Sequence, residues 1–256
     1  MSKVPFLILL LFVSSTVWSE GNWKSNFVLV NGKLYFPGEQ LEDGQSSEYR
    51  LKAFYVQKTE VTQAEWLSVM DSNPSVDKNS AFPVTSITWY EAIDYCNRLS
   101  QKFGLQPAYS VDGERVDWNR TANGFRLLTK LEWQHAADIA VLEGSFWHYD
   151  SRERIDESSW IKSNSGGGIH KVATRLPSSS GLYDLLGNVW EWCWDVAEPD
   201  PLIAPSSRLN KVVPDQRLLM GGYWNSPIDF DQILVVDDHN PRTSERVYGV
   251  RIGFNE

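Results

Sequence analysis

Asp184 and Glu191 bracket Gly187 and Asn188 in the stretch 181–195, GLYDLLGNVWEWCWD. Two carboxylates around a tight backbone bend can hold a hard cation through oxygen atoms. The same stretch alternates Trp190, Trp192 and Trp194 with Glu191, Cys193 and Asp195, which is the two-residue period of a strand. One face of that strand then presents large flat rings that anchor a core, and the other presents acid, thiol and acid. Other chemistry-bearing patterns are sparse. His135, His148, His170 and His239 are scattered without the short spacing of a transition-metal site. The sequence has no Gly-x-Ser-x-Gly nucleophile motif. Gly166-Gly167-Gly168 lacks both the Lys-Ser/Thr pair and the strand–helix frame of a phosphate loop.

The elements that must position these residues are short. Thr62 caps a helix over 63–70, with Glu65 in the capping-box place. The best helical pattern runs over 89–104, where Ala92, Tyr95, Cys96 and Leu99 share one face and Gly104 marks the stop. Thr129 caps a further helix over 130–140, with Glu132 in the reciprocal position. Residues 27–37 read as a hairpin turning at Asn31-Gly32, and 49–56 as one strand. Residues 105–121 form a surface hairpin about Asp112-Gly113, 125–128 a short strand, 217–224 a strand with a glycine kink, and 249–254 a final strand. The stretches 143–175 and 196–216 are polar and irregular. Short strands, modest helices and long loops together indicate an α+β fold.

The chain has 256 residues, enough for one large domain behind a leader. Residues 1–19 carry the marks of a secretory signal: Lys3, an apolar run over 5–13, and Val17-Trp18-Ser19 before Glu20. No later run approaches the roughly 20 apolar residues of a membrane span, so the expectation is a secreted or periplasmic protein with its domain over 20–256. A formal charge of −9 without a Lys/Arg cluster argues against a nucleic-acid partner. Cys96 and Cys193 are the only cysteines. In an oxidising compartment the even pair suggests a disulfide, and two buried free thiols are the other reading.

Several ordered blocks resemble the formylglycine-generating enzyme (sulfatase-modifying factor) family. They are 59–66 (TEVTQAEW), 82–96 (FPVTSITWYEAIDYC), 126–133 (RLLTKLEW), 181–195, 221–224 (GGYW) and 252–254 (IGF). The resemblance spans roughly 27–254 and implies a much-elaborated C-type-lectin-like fold. It also implies a structural calcium site made by the side chains of Asp184 and Glu191 and the carbonyls of Gly187 and Val189, with a second calcium somewhere in 158–172. The family's enzyme oxidises a substrate cysteine using a C-terminal cysteine pair that holds Cu(I), an ion suited to soft thiolates. This chain has no cysteine after Cys193, and the matching stretch 225–239 reads NSPIDFDQILVVDDH. Copper is therefore not expected.

Two function classes follow. The first is a non-catalytic, calcium-braced recognition module whose loops meet a protein, peptide or glycan. Its candidate face is Trp224, Asn225, Phe230, Asp237, Asp238, Asn240 and Arg242. The alternative is a metal-dependent oxidoreductase of the same superfamily, formylglycine-generating or non-haem-iron in type. An iron site of two histidines and a carboxylate would have only His239 in this region.

Overall fold

A computed structural model describes Trp18 and residues 22–35, 49–143, 151–196, 216–227 and 236–256. A single 3-10 turn (Trp23–Asn26) leads into strands β1 (Phe27–Val30), β2 (Lys33–Tyr35), β3 (Tyr49–Leu51) and β4 (Phe54–Gln57). Helices α1 (Gln63–Leu67) and α2 (Trp89–Lys102) follow, then β5 (Tyr109–Asp112), β6 (Arg115–Trp118) and β7 (Arg126–Leu127). After α3 (Lys130–Glu143) and α4 (Ser151–Ser158) come β8 (Trp190–Val196), β9 (Arg217–Met220), β10 (Val236–His239), β11 (Tyr248–Gly249) and β12 (Ile252–Asn255).

The helices start where their caps dictate. Thr62 accepts from the Glu65 N–H while Glu65 accepts from the Thr62 N–H, and Thr88 with Glu91 repeats the arrangement at α2. Thr129 and Glu132 do the same at α3, at 3.1 and 2.8 Å. Each box satisfies N–H groups that the first helical turn leaves without a partner.

Two four-stranded sheets carry the fold. One has the order β1-β4-β12-β7 with every pairing antiparallel. The other has the order β10-β9-β8-β11, antiparallel except for the parallel β8–β11 pair. β8 separates two apolar cores. Its tryptophan face enters a large aromatic cluster with Trp66, Trp89, Tyr95, Ile87 and Tyr248, while Cys193 faces Trp133, Leu218, Met220 and Phe54. The predicted alternation is therefore real, but the acid-and-thiol face is buried as deeply as the ring face.

Four expectations change. Residues 27–35 of the expected hairpin do not pair with each other: β1 pairs with β4, and β2 pairs with β3. At Gly32 a Cβ would stand 2.4 Å from the Leu51 carbonyl, so the glycine serves a close crossing of chains. The strand expected over 49–56 breaks into β3 and β4 in different sheets, and the strand expected over 249–254 divides into β11 and β12 in the same way. Pairing over long sequence separations, which local alternation does not encode, decides these breaks. The stretch 143–175 also contains α4.

Trp18, inside the expected leader, is buried. Its ring stacks on Phe27 at 5.9 Å and packs near Phe103 and Phe125, and its N–H donates to the Tyr95 hydroxyl at 3.1 Å. Among the described residues no helix is long and apolar enough to cross a membrane.

Candidate functional site

The turn entering β8 is held in a conformation few side chains accept. Asp184, Gly187 and Asn188 have φ values of 52°, 82° and 52°, in the left-handed region that glycine, asparagine and aspartate tolerate best. A Cβ on Gly187 would lie 2.0 Å from the Trp160 carbonyl, so only glycine fits. The Asn188 N–H donates to that carbonyl at 2.7 Å, and the Gly187 N–H reaches the Gly221 carbonyl at 2.8 Å. The Asn188 side chain donates to Glu60 at 3.0 Å and accepts from the His170 N–H at 3.0 Å. His170 in turn stacks on Trp160 at 3.6 Å, with the Arg175 guanidinium 3.8 Å from the same indole.

Behind this turn lies a buried charge cluster. Glu191 accepts from Arg251 Nε at 3.0 and 3.1 Å, from Arg251 Nη2 at 2.7 Å, and from the Trp133 indole N–H at 2.6 Å. Arg251 also donates to the carbonyls of Gln57 and Tyr183 at 3.1 and 2.8 Å. Asp184 accepts the Ala173 N–H at 2.7 Å with one oxygen, while its other oxygen is buried without a partner. Glu60 shares that condition: Oε1 takes the Asn188 amide and Oε2 has no partner. Glu60, Asp184, Glu191 and Arg251 are each no more than 1% exposed.

The charges shape one another. Burial, then the neighbouring Asp184, pushes the Glu60 carboxyl well above its ordinary value. Burial raises Asp184 to about 6 against the Ala173 hydrogen bond and Arg251, which pull it down. Burial alone lowers the Arg251 guanidinium, but Glu191, Glu60 and Asp184 together hold it above its ordinary value. Desolvation penalises every unpaired charge here.

These residues do not fit the calcium set that the resemblance implies. A carboxylate offers about four acceptor positions, and on Glu191 the Arg251 and Trp133 contacts occupy them. Among the described residues, no group of three or more His, Cys, Asp or Glu side chains is arranged to hold a metal. The cysteines do not make a copper pair either. Cys96 and Cys193 are free thiols, fully buried in separate clusters. Burial pushes both thiols above their ordinary value, with Asp195 and Glu191 adding to the rise at Cys193. Neither is a ready thiolate.

The candidate recognition face divides between two neighbourhoods. Trp224 is half-buried, donates its backbone N–H to the Asn188 carbonyl at 3.0 Å, and lies edge-on to Tyr223 at 5.7 Å. It thus sits on the turn before β8, with exposed Asn225 beside it. Asn240 accepts from the Arg242 N–H at 2.9 Å, and Arg242 forms an ion pair with Glu114 at the β5–β6 turn. Among the described residues no hydrogen bond or ring contact joins Trp224 to Asn240 or Arg242. Asp237 and Asp238 lie in β10 opposite Leu219 and Leu218, and Phe230 falls outside the described residues. His239 ends the same strand, its ring 5.0 Å from Tyr248.

Glu60, Asn188 and Arg251 are the site residues that sequence reading passed over. A signal existed for Arg251, a lone charge between Val250 and Ile252 in an apolar strand. Glu60 drew notice only as part of the 59–66 block, and only the fold brings it to residue 188.

With this geometry in place, comparison with known proteins is informative. Residues 19–255 match the family described as "Sulfatase-modifying factor enzyme 1-like domain". The chain is 30% identical to the "Chaperone protein LppX" of Paenibacillus barcinonensis, over 89% of this chain and 91% of that one. It is 26% identical to the "Inactive C-alpha-formylglycine-generating enzyme 2" of Bos taurus, over 73% of this chain and 55% of that protein. Among solved structures, "Treponema denticola variable protein 1" superposes with a TM-score of 0.71 at 26% identity, covering 90% of this chain and 95% of that one.

Proposed function

Because this chain belongs to the sulfatase-modifying factor enzyme 1-like family, with the strand-rich α+β fold of formylglycine-generating enzymes, we propose that it is an exported, non-catalytic recognition domain that binds a client polypeptide. One observation carries the reading. The chain has only two cysteines, none of them after Cys193, and both are buried, protonated thiols in different cores. Oxidation of a substrate thiol in this family needs an accessible pair of thiolates on copper, and nothing here supplies one. The chaperone name of one relative and the inactive name of another support the same direction.

The recognition surface starts from Trp224. A half-buried indole next to exposed Asn225, hung from a turn that glycine geometry makes rigid, offers a preorganised aromatic anchor of the kind that dominates interfaces. The deep core fixes the loop, so binding need not order it. The leader pattern over 1–19 supports export, with the client outside the cytoplasm. A formal chain charge of −9 without a Lys/Arg cluster argues against nucleic acid as the ligand.

The test has two arms. A cysteine-containing sulfatase peptide incubated with the protein, copper and oxygen should keep its thiol, and aldehyde formation in that mixture would sink the non-catalytic reading. A pull-down from the exported fraction with wild type and Trp224→Ala should show a specific polypeptide lost from the variant. An identical set of captured proteins would remove Trp224 from the binding face.

A further inference from the structure

The buried cluster already contains a cation, and it is a side chain. We propose that the Arg251 guanidinium takes the place that the family resemblance gives to calcium between Asp184 and Glu191, making the brace of the 184–191 turn independent of metal. This inference stands apart from the recognition reading and survives its failure.

Three observations carry it. Glu191, the carboxylate that would anchor the metal, spends its acceptor positions on Arg251 and Trp133. Arg251 also braces the start of the turn: its remaining N–H groups hold the carbonyl of Tyr183, the residue before Asp184, and that of Gln57 at the end of β4. Finally, Glu60 and Asp184 are buried with Glu191, and both interact electrostatically with the same guanidinium. Of the carboxylate oxygens in the cluster only Glu60 Oε2 and Asp184 Oδ1 are left without partners, and Glu60 lies outside the ligand set that the resemblance implies.

The chemistry of the replacement is sensible. A guanidinium keeps its charge throughout the accessible pH range and offers a planar fork matched to a carboxylate. It is covalently part of the chain, so no chelator removes it. A bound metal would instead stabilise the folded state in proportion to its concentration, and that difference can be measured.

The experiment is thermal unfolding of the full chain in millimolar calcium chloride and in EDTA, for wild type, Asp184→Gly and Arg251→Ser. Glycine tolerates the left-handed backbone at 184 and offers no side-chain oxygen to a metal, so Asp184→Gly removes the ligand without straining the turn. Calcium should move the wild-type midpoint no further than it moves that of Asp184→Gly, the two shifts agreeing to within about 1 °C. Arg251→Ser in EDTA should melt lower by roughly 10 °C and recover part of that loss in calcium, because the metal can enter the emptied place. A larger rise with calcium in wild type than in Asp184→Gly would overturn the proposal. A folded Arg251→Ser protein indifferent to calcium would overturn the equivalence of guanidinium and metal. If Arg251→Ser does not fold, wild type and Asp184→Gly decide the matter alone.

Discussion

Arg126 meets Glu132 through two N–H···O bonds of 2.7 Å, and Arg251 meets Glu191 with bonds of 2.7 to 3.1 Å. Both pairs are buried, but their surroundings differ. Glu132 is also the capping acid of α3, six residues along the chain from Arg126, and its charge is matched one to one. Glu191 is 60 residues from Arg251, and two further buried carboxyls, Glu60 and Asp184, crowd the same arginine. The first pair finishes a local piece of structure, a strand passing into a helix. The second holds together segments that the chain order keeps far apart, with two more carboxyls buried beside it. A buried pair is weak evidence of stability for its own sake, because desolvation offsets much of the attraction. What the second pair supplies is a fixed relation between β4, the 184–191 turn and β12.

Breaking each pair from its basic side gives the sharpest contrast. Arg251→Gln should cost about 4 kcal/mol in urea unfolding, the range for an uncompensated buried charge, because Glu191 then keeps only the Trp133 indole and Glu60 and Asp184 lose their counter-charge. Arg126→Gln should cost less, about 3 kcal/mol, since the Thr129 N–H remains on Glu132. Equal losses would mean that the extra carboxyls add nothing.

A third buried acid sharpens the comparison by lacking an arginine altogether. Glu65 caps α1, accepts from Thr62 and Gln57, and is raised by burial to about 7. Its folded value lies above the 4.5 of an ordinary glutamate, so the folded state binds more protons between those two values. Stability from this group is fully present below pH 4.5 and lost as pH rises through 7. Lowering pH from 8 to 5 should stabilise the wild type relative to Glu65→Gln by on the order of 2 kcal/mol, read as the difference between their urea midpoints. A pH response unchanged in Glu65→Gln would place the titration elsewhere. The smallest effect belongs to the exposed pair of Arg246 with Asp77 at 3.2 Å. Arg246→Ala should change stability by less than about 0.5 kcal/mol, less still in high salt.

Much of the local structure is legible in the sequence. Thr62 with Glu65 and Thr129 with Glu132 announce their helices, because a capping box is a contact across three residues. Trp190, Trp192 and Trp194 announce β8 for the same reason, since a strand's faces alternate with the chain. The reading fails where pairing is long-range. Asn31-Gly32 looked like a hairpin turn, yet β1 found β4. The stretches 49–56 and 249–254 looked continuous, yet each serves two sheets. The candidate face was assembled from residues near one another in the chain, and the fold ties Trp224 to Asn188 while Arg242 goes to Glu114.

The amino-acid order by itself determined the caps at Thr62 and Thr129, the alternation of β8 and the want of any thiol beyond Cys193. All of these are properties of neighbours along the chain. Tertiary structure alone decided which cation meets Glu191, because Glu60, Asp184 and Arg251 become neighbours only when β4, the turn and β12 pack together. Charge taken out of water must find its counter-charge in space, and chain order does not record that distance.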